Sequence, residues 1–235
     1  MRVLPFSLHP HVVAAFSGRD EGNQATHTGE DPARVGRSRA VLAAELSVQP
    51  ERLRWLHQVH SARVVPAPSS GDDTPEADAM LDVSASLAPV ILTADCLPVL
   101  FAARGAELET RLAAAHAGRR GLLAGVLTTT VQSLRAGGAD RAEAWIGPAI
   151  CGACYEVPAD MREQAEAERP GIGALTSWGT ASLDLPAAAE AELSALGVLV
   201  HRSGTCTLHD PGYFSYRAGD VSARNASVVV ARSRP

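Results

Sequence analysis

The sequence predicts a mixed α/β protein, an α+β arrangement of mixed sheets with flanking helices, and three observations support that class. Short apolar runs of extended character alternate along the chain with stretches of helical periodicity. The chain has 235 residues, of which 46% are hydrophobic, so it can bury one sizeable core. It contains no repeat of roughly 20 to 50 residues that would indicate a solenoid or a propeller. We therefore expect a single domain over residues 1–235, with a surface loop at about 66–75 that is rich in Pro, Ser, Gly and Asp.

Nine segments have the apolar, extended character of β-strands and are bounded by turn-forming residues. In chain order these predicted strands are 12–16, 53–57, 63–65, 90–93, 98–103, 110–116, 142–146, 198–200 and 227–231.

Four segments have the periodicity of amphipathic helices. At the first, Asp31 can accept a free backbone N–H and Pro32 occupies the first helical position. The second carries an apolar stripe of leucine and valine and ends before the pair Gly137 and Gly138. In chain order the predicted helices are 31–46, 121–135, 159–168 and 186–196.

The charged residues exclude several classes of function. Lys+Arg total 21 and Asp+Glu total 26, so the net charge is −5 and no basic footprint for nucleic acid is present. No apolar run is long enough to cross a bilayer, so we expect no membrane partner. All 21 basic residues are arginine, and the absence of lysine excludes Schiff-base catalysis and a Walker A loop. An anion would have to be bound by arginine or by backbone amides.

The four cysteines indicate a reduced, cytoplasmic protein. Cys96, Cys151, Cys154 and Cys206 are too few for a disulfide scaffold, and the N-terminal residues do not resemble a secretory signal. Cys151 and Cys154 have the spacing of a thioredoxin-type redox motif, but such a motif should open a helix. The residues Tyr-Glu-Val-Pro that follow favour extended chain, so we predict that this pair is not a redox pair.

Three residues that can bind a soft metal ion follow apolar extended runs. They are His60 in WLHQVH, Cys96 in VILTADC and His116 in RLAAAH. Their spacing is not that of a zinc finger, but strand ends deliver side chains to the rim of a sheet, where functional residues gather. Two histidines and one cysteine with a vacant fourth position would form a catalytic zinc site. The same pattern also fits a buried cysteine and two hydrogen-bonded surface histidines.

The residues after His116 form a candidate anion-binding site. His116-Ala-Gly-Arg-Arg-Gly121 leads into a predicted helix, so free amides and the positive helix end lie beside Arg119 and Arg120. The alternative is a simple glycine-containing turn with two solvated arginines.

Six motifs occur in order along the chain and together resemble the YfiH-like laccase-domain family. They are QVH at 58–60, ADA at 77–79, TADCLPVLF at 93–101, AHAG-RG around 115–121, IGPAICGACYEV at 146–157, and CT followed by FSYR at 206–217. Members of this family are described variously as purine nucleoside phosphorylases and polyphenol oxidases. The resemblance covers nearly the whole chain and implies the family's single α/β domain.

The resemblance implies a zinc-dependent enzyme with His60, Cys96 and His116 as metal ligands. The implied reactions are phosphorolysis of adenosine, inosine, guanosine or methylthioadenosine, and deamination of adenosine. The partners would then be purine nucleosides and phosphate. The other matching positions are Asp95 and Arg120 as catalytic residues, and Arg19, Asn23, Asp78 and Arg217 as substrate-binding residues.

This chain departs from the family pattern at two places. Arg119 stands where the family usually has a tryptophan, and the glycine-rich stretch near the start is shortened to SGRDEGNQATH. Since neighbouring side chains in an extended turn point to opposite sides, we expect Arg120 to face the metal and Arg119 to lie in solvent or over the pocket mouth.

Three other functions remain open from the sequence. A copper polyphenol oxidase could use the same three ligands, although a multicopper enzyme needs a histidine-rich cluster and this chain has only 8 histidines. A cysteine hydrolase acting on cell-wall peptide precursors could pair Cys96 with His116 or His60. A non-catalytic interaction module would have no use for three convergent metal ligands.

Overall fold

The computed structural model describes residues 1–71, 73–105 and 109–232. Its strands, numbered β1 to β13, are Arg2–Pro5, Val12–Phe16, Leu53–Arg54, Val64–Pro66, Ala79–Asp82, Ala88–Thr93, Leu97–Gly105, Thr110–Ala117, Ala139–Ile146, Gly173–Leu175, Ala181–Leu183, Leu199–Arg202 and Asn225–Ala231. Its helices, numbered α1 to α5, are Pro32–Leu46, Arg119–Leu123, Val126–Ala136, Ala159–Glu168 and Leu185–Ala195. A 3₁₀ turn covers Pro50–Arg52.

The strands form three mixed or antiparallel sheets. A six-stranded sheet has the order β12-β9-β7-β8-β5-β4, a five-stranded sheet has the order β1-β2-β13-β6-β3, and β10 pairs with β11. Most neighbours in the two large sheets are antiparallel, whereas β12 with β9, β4 with β5, and β3 with β6 are parallel. The predicted class, an α/β fold with mixed sheets and flanking helices, is confirmed.

The two large sheets pack face to face, and helices cover their outer faces. On β7, Leu100 faces the five-stranded sheet in one apolar cluster, while Val99 and Phe101 face α3 and α5 in another. The outer face of the five-stranded sheet is covered by α1 through Leu42 and Leu46. Both faces of β7 are therefore buried, which explains why its sequence is apolar at nearly every position.

Four strands lie where the sequence predicted none, namely β1, β5, β10 and β11. Each has only three or four residues, too few to show an alternating pattern. The predicted strand 53–57 is also shorter, because regular pairing ends at Arg54.

The predicted helix 121–135 is two helices. Gly125 has a φ of 84°, a left-handed conformation that interrupts the helical hydrogen bonds between α2 and α3. The apolar stripe continues across this break, so periodicity alone could not reveal it.

The predicted surface loop at 66–75 begins at the end of β4. Its residues on either side of Asp72, which lies outside the described residues, are largely exposed. The buried Arg54 fixes the loop, because its Nε donates to the carbonyl of Pro68 at 2.6 Å and its Nη2 to that of Ser69 at 3.0 Å. Among the described helices, none combines the length and the apolar character needed to span a membrane.

Candidate active site

The three predicted ligands come from three separate segments. They meet where the inner strands β7 and β8 of the six-stranded sheet begin and end. His60 lies between β3 and β4, Cys96 lies in the turn from β6 to β7, and His116 lies near the end of β8. Since β7 and β8 are antiparallel, with Pro98 opposite His116, the start of one strand lies beside the end of the other. The ligand atoms of the three residues all lie within 4.8 Å of one another.

The separations fit a small four-coordinate metal ion. Sγ of Cys96 lies 3.8 Å from Nε2 of His60, and tetrahedral zinc with ordinary bond lengths requires roughly 3.6 Å between a sulfur and a nitrogen ligand. The His60 and His116 rings approach edge to face with their centroids 4.7 Å apart. A slight closure of these side chains would bring all three atoms to bonding distance of one ion.

Gly118 leaves the space that the ion would occupy. A Cβ at this position would lie 2.8 Å from Cδ2 of His60, 3.1 Å from Sγ of Cys96 and 3.3 Å from Nε2 of His116. A side chain there would therefore collide with the ligands themselves. The residues present fit a metal ion bound by two imidazoles and one thiolate.

Asp78 orients the ligands from beneath the site. Its Oδ1 lies 2.8 Å from Nδ1 of His116 and accepts the backbone N–H of His60 at 2.9 Å. Its Oδ2 accepts the amide and the hydroxyl of Ser61. The contact with Nδ1 leaves Nε2 of His116 directed at the other ligands. Burial opposes ionisation of Asp78, but the hydrogen bonds from His116 and Ser61 outweigh it and hold its pKa well below the usual range.

The ligands influence one another's protonation. Burial by itself raises the pKa of the Cys96 thiol, but the hydrogen bonds of His116 and His60 overcome it and lower that pKa to about 6. Burial lowers the pKa of His116, whereas Asp78 and Cys96 raise it to about 9. Cys96 is therefore poised to be the thiolate that a metal ion requires.

Two residues of the site have left-handed backbone conformations that are uncommon for side chains with a Cβ. The φ of His60 is 61° and that of Asp95 is 82°. Asp95 is held by a 2.6 Å bond from the Thr207 hydroxyl to its Oδ1 and a 2.8 Å bond from the Arg217 amide to its Oδ2. Strain of this kind concentrates at functional sites, where the surroundings enforce a required geometry.

A cavity of about 440 Å³ opens above the three ligands. Asp95 lines it, and the wall also contains His27, Gln58, Tyr155, Tyr216, Arg217 and Arg224. Its size is in the range of small-molecule sites, and its wall combines aromatic rings with guanidinium groups.

Arg217 is fixed across the cavity by two contacts. Its Nη2 donates to the carbonyl of Glu156 at 2.9 Å, and its Cζ lies 5.1 Å from the centre of the Tyr155 ring. Burial and the neighbouring Cys96 raise the pKa of Tyr155, while Arg119 and Arg217 oppose that shift. The Tyr155 hydroxyl thus stays protonated and available as a donor.

The expectation that Arg120 faces the metal is wrong, because Arg120 is exposed and does not line the cavity. Arg119 is half-buried and lies close enough to Tyr155 to oppose the rise in its pKa, which fits the expectation that Arg119 lies in solvent or over the pocket mouth. The expectation assumed an extended turn, but α2 begins at Arg119. Successive residues of a helix are separated by about 100° and do not alternate between two sides.

Three of the predicted substrate-binding residues also lie away from the cavity wall. Arg19 pairs with both carboxylate oxygens of Asp220, at 3.1 and 2.5 Å. Asn23 accepts the amide of Arg224 at 2.9 Å and so positions that cavity residue. Asp78 is fully buried and acts through His116 and the backbone of residues 59–61. Of the four, Arg217 alone lines the cavity.

Five cavity residues with aromatic, amide or guanidinium side chains were not predicted from the sequence: His27, Gln58, Tyr155, Tyr216 and Arg224. Gln58, Tyr155 and Tyr216 lie within the quoted motifs QVH, IGPAICGACYEV and FSYR, so an aromatic or amide inside a motif was an available signal. His27 and Arg224 stand in loops without a local pattern, and only the fold brings them to the cavity.

Comparison with known proteins agrees with this fold. The family model described as multi-copper polyphenol oxidoreductase laccase matches residues 13–232. A purine nucleoside phosphorylase of Streptomyces coelicolor is 42% identical over 215 residues, covering 89% of this chain and 88% of the relative. One from Pseudomonas aeruginosa is 40% identical over 216 residues, covering 89% and 86%. A crystal structure of a Neisseria meningitidis protein superposes with a TM-score of 0.81 at 31% identity, covering 99% of this chain and 100% of that protein.

The fold, together with the group formed by His60, Cys96 and His116, therefore defines a laccase-domain protein of mixed α/β class. The chain belongs to the YfiH-like laccase-domain family.

Proposed function

We propose that this protein is a zinc-dependent purine nucleoside phosphorylase that also deaminates adenosine. The proposal rests on one observation. His60, Cys96 and His116 lie together in the wall of a cavity that is also lined by arginine and tyrosine. Relatives that bear the name purine nucleoside phosphorylase support it, with 35–42% identity over most of this chain. The substrates would be adenosine, inosine, guanosine or methylthioadenosine, with phosphate as the second substrate.

The chain's own residues have separate roles in this reaction. His60, Cys96 and His116 would hold the ion, and bound zinc would supply a Lewis acid and lower the pKa of water. Arg217 and Arg224 provide cationic donors suited to phosphate. The rings of Tyr155 and Tyr216 can pack against the purine.

The phosphorolysis balances without a covalent enzyme intermediate. A phosphate oxygen forms a bond to C1′ of the ribose while the bond between C1′ and the purine nitrogen breaks. The purine keeps the electron pair and takes the proton of hydrogen phosphate, which leaves ribose 1-phosphate. The enzyme's contribution is to orient the phosphate and the nucleoside and to stabilise negative charge.

The two alternative reactions make different demands on the same site. Among the cavity residues the histidines are His27, His60 and His116, fewer than a three-copper cluster together with a further copper centre would need. A hydrolase would need Cys96 as a free nucleophile, and metal coordination would occupy that thiolate.

We place the protein in the cytoplasm, where its thiols would remain reduced.

The deciding experiment measures products from purified protein loaded with zinc or with copper. Adenosine is supplied with and without phosphate, and adenine, inosine and ribose 1-phosphate are separated and quantified. Hypoxanthine is quantified as well, because inosine is itself a proposed substrate. We expect ribose 1-phosphate only with phosphate, in an amount equal to adenine plus hypoxanthine, and inosine in both conditions. Oxidation of a phenol by the copper-loaded protein, or an acyl group trapped on Cys96, would favour the alternatives. Absence of base release from all four nucleosides under either metal would refute the proposal.

A further inference from the structure

A second group of soft-metal ligands lies outside the wall of the cavity. The sulfur atoms of Cys151, Cys154 and Cys206 all lie within 4.8 Å of one another. Nε2 of His209 lies 3.1 Å from Sγ of Cys154. All three cysteines are free thiols. We propose that these four residues form a structural zinc site of the Cys₃His type.

The local sequence builds the site from two matching turns. Cys151 and Cys154 are separated by two residues, and Cys206 and His209 have the same spacing 55 positions later. Pairs of ligands with this internal spacing are typical of zinc sites. The first turn is closed by a 3.0 Å bond from the Cys154 amide to the Cys151 carbonyl, and the second by a 3.2 Å bond from the His209 amide to the Cys206 carbonyl. In each turn the bond joins the two candidate ligands.

One backbone amide points at a sulfur atom of this cluster. The Cys151 amide lies 3.4 Å from Sγ of Cys206, so the two cysteine-bearing segments are joined directly at the proposed site. Hydrogen bonds to a charged acceptor are about twice as strong as neutral ones, so this contact would stabilise Cys206 as a thiolate.

The separations among the three sulfur atoms, and between His209 and Cys154, are compatible with zinc. Tetrahedral zinc places sulfur and nitrogen ligands roughly 3.6 to 3.8 Å apart. The three sulfur atoms lie within 4.8 Å of one another, and Nε2 of His209 lies 3.1 Å from the Cys154 sulfur. Burial and the adjacent thiols raise the pKa of Cys154 to about 12. A divalent cation bound among these groups reverses that balance, because a coordinated thiol loses its proton.

Four protein ligands leave no open position, so this site would be structural. It joins two segments that shape the cavity: the first turn is followed at once by Tyr155, and the second leads to Arg217. Thr207, beside Cys206, donates to Asp95 at 2.6 Å and so links the site to the strained residue that precedes Cys96. The ion would hold both segments in register at the isolated bridge between Ala149 and Cys206.

A disulfide would not account for this arrangement. It would join two of the three sulfurs and leave the third thiol and His209 without a role. One metal ion uses all four groups.

The test counts zinc by native mass spectrometry in protein whose cavity ligands have been removed. The parent is the full chain carrying His60→Ala and Cys96→Ser, purified from cells supplied with zinc. We expect one zinc ion per chain in this parent. Adding Cys206→Ser and His209→Ala together should abolish zinc binding. Because His209 is exposed, His209→Ala alone should fold and should release zinc to a competing chelator at about a tenfold lower concentration or less.

A matched variant separates ligation from general damage. His209→Cys replaces one soft ligand with another, so it should retain zinc as a Cys₄ site. A parent free of zinc, a parent lighter by two hydrogens as a disulfide requires, or zinc retained unchanged in the Cys206→Ser/His209→Ala variant would each overturn the assignment. Since the assay measures mass and metal rather than turnover, its outcome is independent of the proposed phosphorylase activity.

Discussion

At the scale of single residues, the site depends as much on buried partners as on the groups that face the cavity. Asp78 is fully buried, yet it joins His116 to the loop of His60 through five hydrogen bonds from the described residues 59–61 and 116. Arg217 faces the cavity, and its own backbone amide secures Asp95. Substitutions at these two residues should therefore have different consequences, one on metal binding and one on substrate binding.

Replacing Asp78 should weaken metal binding. Asp78→Asn keeps the shape of the side chain, but it turns an NH₂ group toward atoms that donate hydrogen bonds. Loss of such a partner typically weakens metal binding 10- to 100-fold, so we expect a loss of about that size in zinc affinity. Competition with a chromophoric chelator measures it. Asp160→Asn, on the exposed first turn of α4, is the control and should bind zinc as the parent does. Equal zinc affinities in the two variants would show that Asp78 does not position the ligands.

Replacing Arg217 should affect phosphorolysis more than deamination, since only the first reaction uses phosphate. Removing a charge-assisted contact costs about 1.5 to 3 kcal/mol, so Arg217→Ala should reduce phosphorolysis roughly 10- to 150-fold. Arg120→Ala is the matched control, because Arg120 is exposed and lies outside the cavity wall. Steady-state rates of both reactions in both variants provide the check. A larger phosphorolysis defect in Arg120→Ala would restore Arg120 as the anion ligand.

At the scale of elements, the junction between β8 and α2 is the most constrained segment of the site. β8 ends at Ala117 and α2 begins at Arg119, with Gly118 between them. The φ of Gly118 is −61°, which any residue can adopt, so backbone freedom is not the reason for glycine here. The reason is space beside the three ligands.

Gly118→Ala should impair metal binding by collision. The added Cβ would lie 2.8 Å from His60 and 3.1 Å from the Cys96 sulfur, so the ligands would have to move apart. We expect zinc affinity to fall at least about tenfold. Gly36→Ala in α1 is the control, because its Cβ meets no atom within 4 Å, and it should raise stability by about 0.5 to 1 kcal/mol. Unchanged zinc affinity in Gly118→Ala, measured by isothermal titration, would contradict this account of the site.

At the scale of the whole molecule, a buried carboxylate ties the two large sheets together. Glu143 on β9 accepts the amide and hydroxyl of Ser7 at 2.6 and 2.7 Å and the amide of Leu8 at 2.7 Å. It also pairs with His201 of β12 at 2.6 Å. Ser7 and Leu8 connect β1 to β2, so one side chain links the five-stranded sheet to the six-stranded sheet.

This link should give the protein an acid-sensitive component of stability. Burial opposes ionisation of Glu143, but the hydrogen bonds of Leu8, Ser7 and His201 outweigh it and lower its pKa. Its contribution is therefore complete above the unfolded value of about 4.3 and is lost as pH falls through the lower folded value. Glu143→Gln should reduce the free energy of unfolding by about 2 to 3 kcal/mol at pH 7, with a smaller difference from the parent below about pH 4.

Urea denaturation of both proteins across this pH range measures the effect. Glu163→Gln, on the exposed face of α4, is the control and should change stability by less than about 0.5 kcal/mol at every pH. A difference between Glu143→Gln and the parent that grows as the pH falls would have the wrong sign for this assignment.

The sequence by itself determined the fold class and singled out the three candidate metal ligands. Alternation of apolar extended runs with helical stripes is a local property, and His60, Cys96 and His116 stand out because each follows such a run. Only the tertiary structure decided which arginine turns toward Tyr155 and that Asp78 lies beneath the ligands. It also decided that Cys206 lies beside Cys151 and Cys154. These facts depend on contacts between segments far apart in the chain, which follow from sheet pairing and side-chain packing and leave no periodic signal in the sequence.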